Sequence, residues 1–254
     1  MPALQVDQLV FGRGLALCSP LSLQAGAGQI WAILGENGVG KSSLLLTLAG
    51  LLRPLGGRVY LDGVALTQYP RKVLAQRLGL LLQSAPVEFP FRVREAVAAG
   101  RYAHRRLWGG LSAADQTRID DALAHVGLAD LADRPADQLS GGEQRRLAIA
   151  TLLVQDPGVL LLDEPANHLD VRHQMRLMRL LRTQTERGRL VMFSTHDVNL
   201  AARHADRVLL LYPGGAHESG EPGWLLTPER LSRVYGHPLV VVGEGDARCW
   251  LAAP

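Results

Sequence analysis

A chain of 254 residues is long enough for one large α/β domain or two small ones, with a sizeable core in either case. Hydrophobic residues make up 47% and charged residues 20%, an ordinary balance for a soluble globular protein, and a formal net charge of +3 is too small to argue for a nucleic-acid partner. No apolar run approaches the roughly 18 residues of a membrane span, no charged-then-apolar leader opens the chain, and Cys18 and Cys249 lack metal or redox spacing, so a cytoplasmic, reducing compartment is expected.

Residues 4–10 alternate in polarity and predict a half-buried strand. Gly12-Arg13-Gly14 turns the chain, and residues 15–23 read as a second strand broken near Ser19-Pro20. A glycine-rich turn at 25–28 then leads into the apolar run Ile30-Trp31-Ala32-Ile33-Leu34. That run feeds Gly35-Glu36-Asn37-Gly38-Val39-Gly40-Lys41-Ser42-Ser43, which opens onto a helical stretch ending near Gly50. The order strand, turn, helix fits G-x-x-x-x-G-K-[ST] without a gap. Gly35, Gly38 and Gly40 let successive backbone N–H groups point at phosphate oxygens, and the helix start adds its dipole. Lys41 can neutralise β- and γ-phosphates, and the Ser42 hydroxyl is the expected Mg²⁺ ligand. This stretch predicts binding of a nucleoside triphosphate.

Residues 58–61 read as a strand entering a hairpin turn at Asp62-Gly63, and 78–82 as a short buried strand ending at Gln83. The segment 84–110, with Pro86, Pro90 and several aromatics, breaks the βαβ rhythm and reads as an insertion. Ser112 followed by Asp115 is a helix-capping pair, and Ile119, Leu123 and Val126 give that helix one apolar face. Leu139-Ser140-Gly141-Gly142-Glu143-Gln144 is a second glycine-rich turn opening a helix, where the Ser140 hydroxyl and the N–H groups of Gly141 and Gly142 can meet an anion. The arginine pairs Arg105-Arg106 and Arg145-Arg146 read as solvated faces.

Val159-Leu160-Leu161-Leu162-Asp163-Glu164 is a continuous apolar strand ending in two acids, as in a parallel sheet buried on both faces. Adjacent strand residues point opposite ways, so Asp163 is expected at the metal, through water, and Glu164 at an attacking water as general base. A helix over 171–187, a strand over 190–194, a helix over 197–204 and a strand over 208–212 follow. Residues 225–251 carry alternating short helix and strand signals.

In this order the motifs resemble the ATP-binding subunit of an ABC transporter. Residues 35–42 resemble Walker A, 159–164 Walker B with its catalytic glutamate, and 139–144 the LSGGQ motif with Glu143 in the fifth place. Gln83 resembles the Q-loop glutamine and His196 the switch histidine. Asn167-His168-Leu169-Asp170 resembles a D-loop more often written Ser-Ala-Leu-Asp, with Asp170 keeping the acid. Phe11 stands where the family has an aromatic that stacks on adenine, and is equally readable as a core residue. The resemblance implies an α/β P-loop core with a mostly parallel sheet, an N-terminal antiparallel β subdomain and a helical subdomain. The expected division is core and β subdomain at 1–83 and 156–212, helical subdomain at 84–155, and C-terminal extension at 213–254.

It also implies ATP and Mg²⁺ as cofactors, with Gln83 bridging Mg²⁺ and the attacking water, and His196 holding the γ-phosphate. A head-to-tail dimer is implied, with ATP between Walker A of one copy and Ser140/Gly142 of the other. Such a subunit works at the cytoplasmic face of the inner membrane, with permease subunits docking near 84–110 and a substrate-binding protein as indirect partner. Stretches such as Phe89-Pro90-Phe91, 100–104 and Leu107-Trp108-Gly109, with 226–236 in the tail, are similar to importers of iron chelates, haem and vitamin B12. The alternatives are another transport system's ATPase or a soluble ABC ATPase with no membrane partner. Members acting on DNA carry a coiled-coil insertion and those acting on ribosomes usually two ATPase units, neither of which this sequence contains. A small-molecule kinase on a P-loop fold would not explain 139–144 together with His196.

Overall fold

Alternating side chains build the first layer of the computed structural model, which describes residues 2–83, 91–105, 110–243, 245 and 248–253. Strands β1 (Pro2–Val10), β2 (Leu21–Gly26), β4 (Gly56–Leu61) and β5 (Val64–Ala65) form an antiparallel sheet in the order β2-β1-β4-β5. Asp62 and Gly63 join the last two with positive φ at both residues, 50° and 80°, the conformation a two-residue hairpin needs. Only the last three residues of the predicted 15–23 strand lie in β2, because pairing to β1 begins at Leu21.

Runs without alternation build the second sheet. Strands β3 (Ile30–Leu34), β6 (Leu78–Leu81), β7 (Val159–Leu162), β8 (Leu190–Thr195) and β9 (Arg207–Leu211) are parallel. Antiparallel β10 (His217–Gly220) completes the order β10-β9-β3-β8-β7-β6, so the sheet runs on past residue 212. Every residue of β3, β7 and β8 is buried, which demands cover on both faces.

The two faces belong to different clusters. Trp31, Ile33, Leu161 and Met192 pack with helix α1 (Lys41–Leu48) and the antiparallel sheet. Ile30, Ala32, Leu34, Leu162 and Phe193 pack on the other side with apolar residues of α3 (Val93–Ala98), α4 (Ala113–Val126), α5 (Gly141–Gln155) and α6 (Val171–Glu186). The helices of 84–155 therefore share one apolar core with the sheet. Ser112 caps α4, accepting from Asp115 N at 3.1 Å, and Gly127 ends it in a left-handed conformation.

Helix α2 (Arg71–Arg77) carries no fully buried residue, so it offered the sequence no apolar periodicity. Helix α7 (Val198–His204) follows β8 and is capped by Asp197. Beyond β10 come α8 (Pro222–Leu225), α9 (Pro228–Tyr235) and a hairpin of β11 (Leu239–Val242) with β12 (Cys249–Ala252). Within the expected insertion, residues 84–90 and 106–109 lie outside the described residues, and with them Pro86, Phe89, Pro90, Arg106, Leu107, Trp108 and Gly109. Among the described residues, no helix is long and apolar enough to cross a membrane.

Parallel pairing has one consequence for the site. The carboxyl ends of β3, β8, β7 and β6, neighbours in the sheet, all lie along one edge, and residues 35, 196, 163 and 83 follow them there.

Candidate functional site

The first wall of the site is the loop between β3 and α1. A Cβ on Gly35 would lie 2.7 Å from the Val39 side chain and 2.9 Å from the Leu211 carbonyl oxygen, so only glycine fits there. Gly40 takes φ 112° at the N-cap, and no side chain caps α1, which leaves its first N–H groups available to an anion. Asn37, Gly38 and Ser42 are exposed at the mouth, with Glu36, Val39 and Ser43 half-buried behind them. Lys41 is buried, and its ammonium donates to the carbonyls of Gly35 at 2.7 Å and Glu36 at 3.0 Å. Burial lowers its pKa, and the charges of Glu164 and Asp163 oppose that shift.

Phe11 does not stand open to a base. Its ring is 0% exposed and lies beneath the loop, where a Cβ on Gly40 would approach it to 3.0 Å. A ring with no free face cannot stack on adenine; Phe11 is a core residue that supports the loop.

The second wall is the turn after β7. The strand stops at Leu162, so Asp163 and Glu164 do not diverge by strand alternation as expected. Glu164 instead takes φ 45°, a left-handed conformation rare for a residue with a side chain. Ser194 ties the pair together: its hydroxyl donates to Asp163 Oδ1 at 2.6 Å and accepts from Glu164 N at 2.9 Å.

On the Glu164 carboxylate, 7% exposed, several remote segments meet. Lys41 Nζ lies 3.7 Å from Oε1. Gln83 Nε2 donates to Oε2 at 3.4 Å, Asn167 Nδ2 donates to the same oxygen, and His196 Nδ1 stands 3.7 Å from it. The loop lysine, the end of β6, the turn after Glu164 and the end of β8 are thus drawn to one carboxylate, as a base with its positioning partners would be.

Ser140, Gly141, Gly142 and Asp170 are not part of that group, and their bonds are local. Ser140 accepts from Glu143 N at 3.4 Å, while its own N–H and hydroxyl each donate to Glu143 Oε2 at 2.8 Å. These bonds hold the Glu143 carboxyl below its usual range. Asp170 caps α6, accepting from His173 N at 2.8 Å and from the His173 ring at 2.9 Å. Gly142 is close to the 167–170 turn, since a Cβ there would sit 3.2 Å from the His168 carbonyl oxygen.

Arg145 corrects the solvated-face reading of its pair. It is 7% exposed, and its guanidinium donates to the carbonyls of Asp163 and Leu82 at 2.5 Å each, and of Gln83 and Pro165 at 3.3 Å each. Burial lowers its pKa while Asp163 and Glu164 support the charge. Arg146 is half-buried and bonded to the His173 ring at 2.7 Å. A signal for Arg145 existed, because it continues the buried stripe of Ile149 and Leu152 at helical spacing. Ser194 had one too, as a hydroxyl in a fully buried strand whose four preceding residues are all apolar.

Comparison with known proteins agrees with this geometry. The ABC transporter family matches residues 18–167. Ferric enterobactin transport ATP-binding protein FepC of Escherichia coli K12 is 36% identical over 253 residues, 99% of this chain and 93% of that protein. Hemin import ATP-binding protein HmuV of Rhodopseudomonas palustris CGA009 is 42% identical over 236 residues, 90% and 85% of the two chains. Among solved structures, an inward-facing ABC transporter of the metal-chelate type aligns with TM-score 0.84 at 28% identity, covering 100% of this chain and 98% of that one. A dimeric post-hydrolysis state of the cassette MJ0796, bound to ADP and phosphate, aligns with TM-score 0.76 at 25% identity, covering 86% and 98%. With its phosphate loop, its convergent carboxylate and these likenesses, the chain belongs to the ABC transporter family, as one of its ATP-hydrolysing subunits.

Proposed function

We propose that this subunit powers an importer of an iron chelate, haem or cobalamin, and that Glu164 is the general base of its ATP hydrolysis. The observation that carries the assignment is the gathering of Lys41, Gln83, Asn167 and His196 around one buried carboxylate. In this reading Gly35 to Ser43 hold the phosphates, with backbone N–H groups inward and Lys41 on the β- and γ-oxygens. Glu164 takes the proton of the attacking water, Gln83 and Asn167 orient its carboxylate, and His196 holds the terminal phosphate.

The donors available to Mg²⁺ are the Ser42 hydroxyl, the Asp163 carboxylate and the Gln83 amide. That hard-oxygen set fits, since Mg²⁺ is usually held by one or two protein oxygens and the phosphates it arrives with. When bound, it neutralises charge on the transferring group. Ser194 keeps Asp163 aimed by donating to Oδ1, which leaves Oδ2 for that work.

Ser140, Gly141, Gly142 and Asp170 stand apart from their own chain's carboxylate, which supports a site completed by a second copy. ATP would lie between the loop of one copy and the Ser140 turn of the other, so that its cleavage removes the shared contact and lets the pair part. Permease subunits would dock near 84–110, where Phe91 and Tyr102 are 53% and 64% exposed, placing the subunit at the cytoplasmic membrane face. Val93 and Val97 of the same segment are fully buried and belong to the core. The names of FepC and HmuV support the substrate class.

The test of Glu164 is Glu164→Gln, which keeps the shape and removes the base. Turnover should fall by two orders of magnitude or more while ATP stays bound, giving a stable dimer on gel filtration; hydrolysis at the parental rate removes Glu164 from the role. Reconstitution with membrane subunits then tests the substrate class, by asking which ligand-loaded binding protein stimulates ATPase.

A further inference from the structure

The His196 ring is 58% exposed and its Nδ1 is 3.7 Å from Glu164 Oε2, beyond hydrogen-bonding distance. Side-chain packing therefore does not fix it. Its place depends on the backbone that carries it, between buried Thr195 at the end of β8 and the first turn of α7.

Side-chain bonds at Thr195 and Asp197 hold that backbone, and the Asp197 carbonyl accepts from Ala201 N at 3.2 Å. Asp197 N donates to Thr195 Oγ1 at 3.1 Å, and Asp197 Oδ1 accepts from Asn199 N and Leu200 N at 2.8 and 3.0 Å. The carbonyl of His196 itself accepts from the Tyr235 hydroxyl at 3.3 Å. Tyr235 is the last residue of α9, 39 positions away. Burial, with the Asp197 charge, raises its pKa, so the phenol stays a donor throughout the working pH range.

The element carrying Tyr235 is firmly seated. Leu231 and Val234 are fully buried in the core cluster that holds Leu200 and Ala201 of α7. The final strand is clasped to α7 in both directions: Asn199 Nδ2 donates to Trp250 O at 3.1 Å, and Trp250 N donates to Asn199 Oδ1 at 2.8 Å. The far end of α9 also faces the phosphate loop, since a Cβ on Gly236 would sit 3.6 Å from Glu36 Oε1.

We propose that Tyr235, carried by the C-terminal unit of α9, β11 and β12, is a positioning residue for ATP hydrolysis, its hydroxyl holding the His196 backbone so that the imidazole stands beside Glu164. The inference rests on the reading of His196 as the residue that holds the terminal phosphate. Tyr235 touches neither substrate nor metal in this account. It acts through His196, and the C-terminal unit is thereby part of the catalytic apparatus and not an appendage to it.

The experiment uses the full chain with Tyr235→Phe, which keeps the ring and removes one donor. The expected result is a kcat lower by about 3- to 10-fold, the value of one hydrogen bond in the transition state, with KM for ATP and the melting temperature unchanged. Single-turnover hydrolysis in a His196→Ala background should then be insensitive to Tyr235→Phe, because the two residues act as a unit. A parental kcat in Tyr235→Phe overturns the inference, as does the same loss persisting in the His196→Ala background. A fall in melting temperature with KM and kcat shifting together also overturns it, by showing a structural role alone. Should His196→Ala itself hydrolyse at the parental rate, the reading of His196 has failed, an outcome distinct from failure of Tyr235 alone.

Discussion

Arg145→Met leaves an unbranched apolar stem in the same space and removes the guanidinium. Four carbonyls then lose a donor, those of Leu82, Gln83, Asp163 and Pro165. Leu82 and Gln83 are exposed and can turn to water, whereas Asp163 and Pro165 are buried. Each orphaned buried acceptor costs about 1–3 kcal/mol, so two cost about 2–6 kcal/mol. Release from burying a charge that no carboxylate contacts directly offsets part of this, leaving a net loss of about 1–4 kcal/mol. For a chain of this size each kcal/mol moves the midpoint by roughly 2–4 °C, so thermal melts should shift down by about 2–16 °C. ATP turnover should fall as well, because the guanidinium is the tether between the end of β6 and the turn bearing Asp163 and Glu164. Calorimetry and a steady-state ATPase assay check both. Arg145→Lys is the decisive companion, since one ammonium cannot span four carbonyls. If Lys restores both melting point and turnover, or if Met changes neither, the tether argument is refuted.

Lys41→Ala should lose ATP affinity by tenfold or more before any effect on the melt, and an unchanged dissociation constant by calorimetry would count against the loop assignment. Ser140→Arg should spare ATP binding to the monomer yet block the nucleotide-dependent dimer; a variant that still dimerises on gel filtration argues against a shared site. Acid should loosen three helix starts together. Asp115 is held below its ordinary 3.8 first by the Ser112 hydroxyl, Glu143 below 4.5 first by the Ser140 backbone, and Asp170 below 3.8 first by the His173 backbone. A carboxylate depressed in the folded state stabilises above its unfolded pKa and loses that contribution as pH falls through the folded one, so the caps hold at pH 7 and fail below about pH 4. Ser112→Ala with Ser140→Ala should flatten the acid limb of stability against pH, and an unaltered limb would refute the linkage.

The phosphate loop was legible because its chemistry demands fixed residue types at fixed spacing, and the buried strands because parallel pairing demands unbroken apolar runs. Helix α2 was not, since a short helix that buries no residue leaves no periodic trace. Phe11 was open to two readings, and only its packing beneath Gly40, in the cluster it shares with α1, closes its ring away from solvent. Arg145 and Ser194 were missed for a shared reason: each is a polar type at a position where the pattern calls for an apolar one, made tolerable by partners far along the chain. The meeting of residues 41, 83, 167 and 196 at Glu164 is a fact of distance in space that no spacing along the chain encodes.

The left-handed backbone at Glu164 sets a local strain against the contacts its carboxylate makes. A glycine there would relax a conformation that costs a side-chain-bearing residue of order 1 kcal/mol or more, and would also empty the position of its carboxylate. That relief is offset, because buried Lys41, together with Gln83 and Asn167, loses the carboxylate it meets, so a selection for heat tolerance alone has little to gain from Glu164→Gly. A selection that scores turnover in the same round will keep the strained residue in place.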